Sequence, residues 1–273
     1  KDSAALANLI TQNKPDYIQA TPATWQMLLA ESDLNLKSIT ALVGGEALSY
    51  HLADQLTSRC GKVWNCYGPT EATVWSLVGE VTKQSLNEKG VTIANELKGY
   101  HHFVVDKHLN ILPKGAIGEL VISGEGVGLG YWHDPSQTTK VFRTDILEGC
   151  VCYLTGDLVK QNVDDSYSFL GRADHQVKVR GYRIELTEIE RQLQAVIGAD
   201  IPCAVTTKPD QQGFMNLVGY CCTETLSWSE IEAELALHLP DYMIPRQWVS
   251  IQNLPLNANG KVNRAQLPDI DIA

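Results

Sequence analysis

Apolar residues in the first 80 positions alternate between helical spacing and the short runs that are typical of buried strands. Leu6, Leu9 and Ile10 share one face of a helix, while Thr21 and Pro22 supply an N-cap and a first-turn proline for a second helix. Strands that alternate with helices favour an α/β fold with a mostly parallel sheet, whose ligand-binding loops follow the carboxyl ends of the strands. The predicted strands are 17–20, 39–43 and a run that starts at Val63, and a third helix is predicted at about 50–58.

The pattern changes from about residue 91 to short apolar runs separated by turn residues, which predicts a β-rich subdomain. Glycines alternate with other residues from Gly124 to Gly130. This spacing matches neither the dinucleotide-binding fingerprint nor the phosphate loop that contains a lysine. We therefore interpret the glycine-rich loop as a structural turn.

A third pattern starts near Asp174. Val177 and Val179 alternate with polar residues before Gly181, which predicts a β-hairpin. Two capping boxes predict helices, and two apolar runs between them predict strands, so this part is expected to be a small α+β domain. The capping boxes are 187–190 and 229–232, the strands are about 202–207 and 217–222, and the predicted domains are 1–173 and 174–273.

Composition limits the partners and the compartment. The chain has 32 acidic and 22 basic residues, a formal charge of -10 and no block rich in Lys or Arg, so we do not expect nucleic acid as a partner. No apolar run in the sequence is long enough to cross a bilayer, so we expect no membrane association. The seven cysteines lack disulfide or zinc-ligand spacing and indicate free thiols in the cytoplasm. Because the sequence opens without Met on an amphipathic pattern, we expect it to be the later part of a longer protein.

A candidate ligand site follows the strand predicted at Val63. Gly68 lets a ligand approach the main chain and Pro69 fixes the backbone, so the turn can present Thr70 and Glu71 in one direction. Glu71 suits a hard cation such as Mg²⁺, which takes one or two carboxylates together with phosphate oxygens. The features favour a nucleotide and its metal, and a plain turn is the alternative.

Two more charged residues stand at predicted turns. Asp157 follows Gly156 at the junction of a strand and a turn, where its carboxylate either accepts hydrogen bonds from two ribose hydroxyls or caps the turn. Lys261 follows Asn259 and Gly260 in a tight turn near the end of the chain. It is either a surface lysine or a catalytic cation, and the residues alone leave both alternatives open.

Six motifs follow one another along the chain and carry a resemblance to a known family. They are 65–73, 118–120 with 130–131, 153–158, 171–185, 239–245 and 259–264. Together they resemble the adenylate-forming superfamily, and most closely the adenylation domains of nonribosomal peptide synthetases. The resemblance implies that ATP and Mg²⁺ serve to convert a carboxylic acid, expected to be an amino acid, into acyl-AMP and pyrophosphate. It also implies transfer of the acyl group to the phosphopantetheine thiol of a carrier protein.

The resemblance implies a role for each matching position. Lys261 is similar to the catalytic lysine that bridges the substrate carboxylate and the α-phosphate, Glu71 to the Mg²⁺ ligand and Thr70 to an α-phosphate contact. Asp174 is similar to the hinge of a mobile small domain, and Tyr67 to the residue that stacks on adenine. The other expected nucleotide contacts are Gly44, Gly45, Asn65, Tyr153, Asp157 and Arg172, and the expected pocket residues are Ala20, Ala41, Val43, Cys66, Val74 and Trp75.

The resemblance also indicates what lies outside the sequence. The family's phosphate loop and the aspartate that anchors an amino group precede the first motif present, so the N-terminal part of the same domain is an expected partner. An acyl- or aryl-CoA synthetase is the alternative enzyme, and a noncatalytic fragment or binding module is the alternative of another class. The visible pocket residues offer no charge partner, so we expect a neutral substrate whose size is limited by Trp75.

Overall fold

The computed structural model divides into two compact units, Lys1–Asp174 and His175–Ala273. Each unit is described by itself below. The residues that the structure describes are 2–31, 34–82, 85–87, 90–93, 95–174, 176–211, 213–223, 227–257 and 262–272.

The first unit begins with a four-stranded sheet of order β1-β2-β3-β4, in which the first three strands are parallel and β4 is antiparallel. The mostly parallel sheet predicted from the sequence is therefore confirmed. Thr21 caps its helix as predicted, because its side chain accepts a hydrogen bond from the Thr24 N–H. The elements are α1 (Ser3–Asn13), β1 (Tyr17–Ala20), α2 (Pro22–Leu29), β2 (Thr40–Gly44), α3 (Tyr50–Arg59), β3 (Lys62–Tyr67), a 3-10 helix (Thr70–Ala72) and β4 (Leu77–Glu80).

The rest of the first unit is the predicted β-rich part. Its main sheet is antiparallel and has the order β11-β10-β8-β7, with β9 also paired to β10. Strand β10 is irregular around Leu158, where its pairing register shifts against both neighbours. The elements are β5 (Leu86–Asn87), β6 (Gly90–Val91), β7 (Tyr100–Val105), β8 (Ile117–Gly124), α4 (Pro135–Val141), β9 (Phe142–Arg143), β10 (Cys152–Gln161) and β11 (Tyr167–Arg172).

The second unit contains the predicted hairpin, β12 with β13, which turns through Arg180 and Gly181 at positive φ. A three-stranded sheet of order β14-β15-β16 packs with two helices around a separate apolar core. The elements are β12 (Gln176–Val179), β13 (Tyr182–Glu185), α5 (Leu186–Ile197), β14 (Cys203–Pro209), β15 (Met215–Cys221), α6 (Trp228–Leu235), β16 (Gln247–Ser250) and two 3-10 helices (Asp241–Met243 and Arg264–Gln266).

Both predicted capping boxes are wrong. Helix α5 begins at Leu186 with Glu185 as its N-cap, so Thr187 lies inside the helix instead of capping it. Helix α6 begins at Trp228 with Ser227 as its N-cap, so Ser229 is also inside the first turn. Neither N-cap residue makes a side-chain capping bond.

Among the described residues, no helix has the length and apolar character needed to cross a membrane.

Candidate functional site

The turn after β3 has the form that the sequence predicts. The strand ends at Tyr67, and Thr70 begins a short 3-10 helix capped by Pro69. A Cβ atom at Gly68 would lie 2.5 Å from the Val74 carbonyl oxygen, so only glycine fits between the turn and the residues that follow it. The turn therefore holds Thr70 and Glu71 in one fixed direction, with Thr70 exposed to solvent.

Glu71 is held by a tyrosine from the glycine-rich loop. The Tyr131 hydroxyl donates to Glu71 Oε1 at 2.6 Å, and the Gly128 N–H donates to the Glu71 carbonyl oxygen at 2.8 Å. Burial, followed by the hydrogen bond to Glu71, raises the pKa of Tyr131, so this phenol stays protonated and remains a donor. Phe142 packs edge-on against Tyr131 and also contacts Tyr153, which is almost completely buried. Tyr153 therefore supports the aromatic group behind Glu71.

A second carboxylate, Asp157, lies in a chain of charge-assisted hydrogen bonds. The Tyr67 hydroxyl donates to Asp157 Oδ2 at 2.6 Å, and Arg172 Nη1 donates to Asp157 Oδ1 at 2.6 Å. Arg172 also forms a two-point pair with Asp174, and both distances are 2.7 Å. The structure thus brings together Tyr67, Asp157, Arg172 and Asp174, which were predicted as site residues from three separate motifs.

Burial determines which of these hydrogen-bonded side chains donate and which accept. Tyr67 is 8% exposed and Asp157 is 3% exposed. Burial, and then the nearby charge of Asp157, raises the pKa of Tyr67, so its hydroxyl is a permanent donor. Among the described residues, each carboxylate oxygen of Asp157 accepts one side-chain hydrogen bond, and its second lone pair leaves acceptor capacity for ligand hydroxyls.

Asp157 owes its position to the irregular segment of β10. Gly156 has a φ of +73° and its N–H donates to Glu119 Oε1 at 2.7 Å. The Asp157 N–H donates to Thr155 Oγ1, whose own hydroxyl donates to the Leu120 carbonyl oxygen. A Cβ atom at Gly156 would lie 2.5 Å from Arg172 Nη2, so the glycine is needed for the Arg172 pair. Glu119, Thr155 and Tyr131 were not predicted as site residues, and their positions in the same motifs were the available signal.

The two glycines at the end of β2, Gly44 and Gly45, lie next to Asn65 in β3. A Cβ atom at Gly44 would lie 2.8 Å from the Cys66 carbonyl oxygen, and Gly45 has a φ of +91°. Asn65 is 4% exposed and pairs across the sheet with Val43. The predicted nucleotide contacts Gly44, Gly45 and Asn65 are therefore at the carboxyl ends of parallel strands, where ligand loops are expected.

Three of the predicted pocket residues share one face of the first sheet. Val43 pairs with Ala20, and Ala41 lies two positions before Val43, so their side chains point to the same side. Ala41 and Val43 are fully buried in the apolar core that includes Trp25 and Leu28. The structure places these two residues in that core.

Cys66, another predicted pocket residue, lies on the opposite face of the sheet. Cys66 pairs with Gly44, and a Cβ atom at Gly44 would lie 3.3 Å from Cys66 Cβ and 3.4 Å from Trp75 Nε1. Burial raises the pKa of Cys66 to about 11, so this thiol is neutral near pH 7. Val74 is 64% exposed beside Trp75. The structure therefore brings Cys66 and Trp75 together around Gly44.

The predicted catalytic lysine, Lys261, lies outside the described residues. Among the described residues that flank it, Leu256 pairs with Val262 and the Asn263 N–H donates to the Pro255 carbonyl oxygen at 2.7 Å. Arg264 then donates to both oxygens of Glu190 on α5. These contacts hold the described residues on either side of positions 258–261 within the second unit.

The described residues contain no group of three or more His, Cys, Asp or Glu side chains that could hold a metal ion. Glu71 would therefore act with few protein ligands. This donor set fits Mg²⁺ in a nucleotide site, because Mg²⁺ often uses one or two carboxylates and takes its other ligands from phosphate and water.

Comparison with known proteins agrees with this arrangement. Residues 1–132 match the family described as AMP-binding enzyme. Whole-chain relatives are nonribosomal peptide synthetases, and the similar solved structures include their adenylation domains. The first 132 residues thus belong to the AMP-binding enzyme family, and the chain as a whole is similar to nonribosomal peptide synthetases.

Individual relatives and similar structures show which members of this family the chain resembles. The dimodular nonribosomal peptide synthase of Bacillus subtilis (strain 168) is 36% identical over 281 residues, which are 100% of this chain and 12% of that protein. The structure of holo-PA1221, a protein with adenylation and PCP domains, has a TM-score of 0.83 at 28% identity and covers 98% of this chain and 47% of that one. The Vibrio cholerae adenylation domain AlmE, in complex with glycyl-adenosine-5'-phosphate, has a TM-score of 0.83 at 26% identity over 95% of this chain and 51% of that one. The chain thus spans about an eighth of the curated relative and about half of each structure.

Proposed function

We propose that this chain is the later part of an adenylation domain that activates an amino acid with ATP. The product would be the aminoacyl-AMP, with release of pyrophosphate. The observation that carries the proposal is the chain of hydrogen bonds from Tyr67 through Asp157 to Arg172, in the same unit as Glu71 and its tyrosine. The complex of AlmE with glycyl-adenosine-5'-phosphate supports this assignment, because that ligand is an aminoacyl-AMP.

We assign the nucleoside to Tyr67 and Asp157. The ring of Tyr67 would contact adenine, and Asp157 would accept hydrogen bonds from ribose hydroxyls through its remaining lone pairs. Arg172 holds Asp157 from the other side, so the carboxylate is oriented before the nucleotide binds. Orientation before binding favours affinity because less ordering remains to be done.

The reaction brings two anions together, since a carboxylate attacks the α-phosphate. Lys261 is proposed to bridge these groups as a cation, and Thr70 to contact the same phosphate. Mg²⁺, held by Glu71 and phosphate oxygens, would neutralise charge on the triphosphate when bound. Tyr131 fixes the Glu71 carboxylate, so its direction does not depend on the metal.

The second unit, His175–Ala273, is proposed to be the small mobile domain that the sequence predicts over residues 174–273, with Asp174 as the hinge. It would bring Lys261 to the reaction and move away for the second step. In that step, the acyl group would pass to the phosphopantetheine thiol of a carrier protein. PA1221 supports this partner, because that protein contains a PCP domain next to its adenylation domain.

The proposed substrate is a neutral amino acid. Cys66 presents a protonated thiol and Trp75 a large apolar surface beside Gly44, so this wall provides no counter-charge for an ionised side chain. An unpaired charge against such a wall would be unfavourable.

The test is amino-acid-dependent exchange of pyrophosphate into ATP, measured on the full-length protein that contains this chain. Asp157→Asn should lower kcat/KM for ATP roughly 10- to 100-fold, as expected for loss of a hydrogen bond to a charged group worth about 1.5–3 kcal/mol. Asp54→Asn, on the exposed surface of α3, is the control and should leave exchange unchanged. Unchanged ATP dependence in Asp157→Asn, or a preference for Lys or Glu over neutral amino acids, would contradict these assignments.

A further inference from the structure

A strained turn precedes Ser76 in the predicted pocket wall. The Trp75 N–H donates to the Thr73 carbonyl oxygen at 3.0 Å, and this three-residue γ-turn has Val74 at its centre with a φ of +74°. Thr73 also has a positive φ, +53°. Positive φ is unusual for β-branched residues, and the γ-turn with positive φ is rare and strained. Such a conformation persists only where neighbouring structure holds it.

The turn is anchored at both ends. On one side, Thr73 Oγ1 donates to the Gly126 carbonyl oxygen at 2.8 Å. On the other side, the Ser76 N–H donates to the Tyr67 carbonyl oxygen and the Ser76 carbonyl oxygen accepts from the Leu97 N–H, both at 2.9 Å. Ser76 has no exposed surface, and its Oγ lies 2.9 Å from His102 Nε2.

His102 connects Ser76 to a carboxylate. Its imidazole is fully buried, and Nδ1 lies 3.2 Å from Glu96 Oε1, which also accepts the His102 backbone N–H at 2.7 Å. Burial lowers the pKa of His102 to about 4, so the ring is neutral near pH 7. The network assigns the proton to Nδ1, which donates to Glu96, while Nε2 accepts from the Ser76 hydroxyl.

The order Ser76, His102, Glu96 has the hydrogen-bond pattern of a hydrolase triad, but its location excludes that chemistry. A nucleophilic serine must reach a substrate carbonyl, and Ser76 is completely covered. We therefore interpret Ser76, His102 and Glu96 as residues that hold the protein's own backbone in place.

We propose that Ser76, His102 and Glu96 position the strained segment from Thr73 to Trp75 and thereby determine which side-chain size the acyl pocket accepts. Ser76 is bonded directly to Trp75, and Trp75 Nε1 lies beside Gly44 and Cys66. A small rotation at Ser76 would move the indole relative to Gly44. The specificity part of this inference rests on the proposed function, because it requires Trp75 to face the acyl substrate.

The experiment compares four variants of the full-length protein in pyrophosphate exchange. Ser76→Ala removes the donor, His102→Leu removes the acceptor and His102→Gln restores an acceptor that can reach Ser76. His101→Leu is the matched control, because the neighbouring His101 side chain is 76% exposed and its Nδ1 lies 3.8 Å from Glu96 Oε2, beyond hydrogen-bond distance. The readout is the ratio of kcat/KM for a small and a large neutral amino acid, with KM for ATP measured alongside.

Ser76→Ala and His102→Leu should change this ratio roughly tenfold, the range expected when one methylene of pocket volume is gained or lost. His102→Gln should return the ratio toward the wild-type value, and His101→Leu should not change it. A network that only stabilised the fold would lower activity equally for both amino acids. A wild-type ratio in both folded variants would overturn the proposal.

Amide hydrogen exchange separates this inference from the proposed function. In Ser76→Ala, the N–H groups of Trp75 and Leu97 should exchange about tenfold faster than in wild type, because a local anchor is lost. If no acid supports pyrophosphate exchange, the proposed function fails and the specificity claim fails with it. Faster amide exchange would then still support the positioning role, whereas wild-type amide protection would refute that role as well.

Discussion

The contact between Glu190 and Arg264 gives a quantitative prediction. Val205 lies on β14, an edge strand, and its N–H donates to Glu190 Oε1 at 2.8 Å while its carbonyl oxygen accepts from Arg264 Nε at 3.1 Å. Arg264 Nη2 also donates to both Glu190 oxygens, at 2.6 and 2.8 Å. The two side chains are only 16% and 18% exposed. The ion pair therefore provides hydrogen-bond partners for the Val205 N–H and carbonyl oxygen, which an edge strand would otherwise leave unpaired.

The perturbation is Arg264→Met. It leaves the Glu190 carboxylate covered, with the Val205 N–H as one remaining donor. Removing one partner of a buried pair costs about 3–5 kcal/mol, and partial exposure places this pair near the lower end, at about 3 kcal/mol. Glu190→Gln keeps an acceptor and removes the charge, so its expected cost is about 1 kcal/mol.

The double variant, Glu190→Gln with Arg264→Met, should be less destabilised than the sum of the single variants. It contains no unpaired buried charge. We therefore expect its free energy of unfolding to fall by about 2 kcal/mol, whereas the sum of the single variants is about 4 kcal/mol. The difference measures the coupling between the two side chains. Truncation of a surface pair should show no comparable coupling.

The assay is native-state hydrogen exchange of the β14 amides, because the two compact units make a single global unfolding energy ambiguous. Arg246→Met is the matched control in the same unit, since its side chain is 56% exposed and pairs with Glu232 and Asp241. It should cost about 1 kcal/mol or less. Equal costs for Arg264→Met and Arg246→Met, or additive single variants, would refute this account of the Glu190 contact.

Two further predictions concern the first unit. The folded pKa of His102 is about 4 and its ordinary value is 6.5, so stability should fall as pH drops from 6.5 toward 4. Glu96, His101, Tyr100 and Tyr167 face or adjoin the ring, and His102→Gln, but not His101→Gln, should flatten the urea-midpoint profile in this window. Separately, Tyr131→Phe removes the hydrogen bond to Glu71 Oε1 and should weaken Mn²⁺ binding in the presence of ATP about tenfold, as for loss of an outer-shell partner. Electron paramagnetic resonance of free Mn²⁺ measures this directly, and wild-type affinity would show that Tyr131 does not orient Glu71.

Local patterns predicted the strands and helices well but misplaced two helix starts. The spacing of Thr187 and Glu190 fits a capping box, yet β13 runs directly into α5 at Leu186 and Glu190 instead bonds Arg264. Glu232 likewise accepts from Trp248 Nε1 at 2.9 Å. In both cases a distant partner takes the glutamate that the local pattern assigned to the helix end. A capping pattern carries no information about such partners.

The candidate site was likewise predicted only in part. The motifs around Tyr67, Asp157 and Arg172 indicated a shared site, and the structure joins those residues by hydrogen bonds. The contacts of Tyr131 and His102 could not be predicted, because each depends on how strands or loops far apart in sequence are aligned. A one-residue change of register would turn His102 to the other face of β7.

The charges of the site explain why its parts must act together. Asp157, Arg172 and Asp174 form a hydrogen-bonded cluster of two carboxylates and one guanidinium, and Glu71 adds a third carboxylate to the same unit, so carboxylates outnumber the guanidinium among these residues. Such a cluster can orient ribose hydroxyls and a cation, but it repels a free triphosphate. Productive nucleotide binding by the proposed domain therefore requires cations beyond Arg172. Lys261 and Mg²⁺ are the proposed sources of this positive charge.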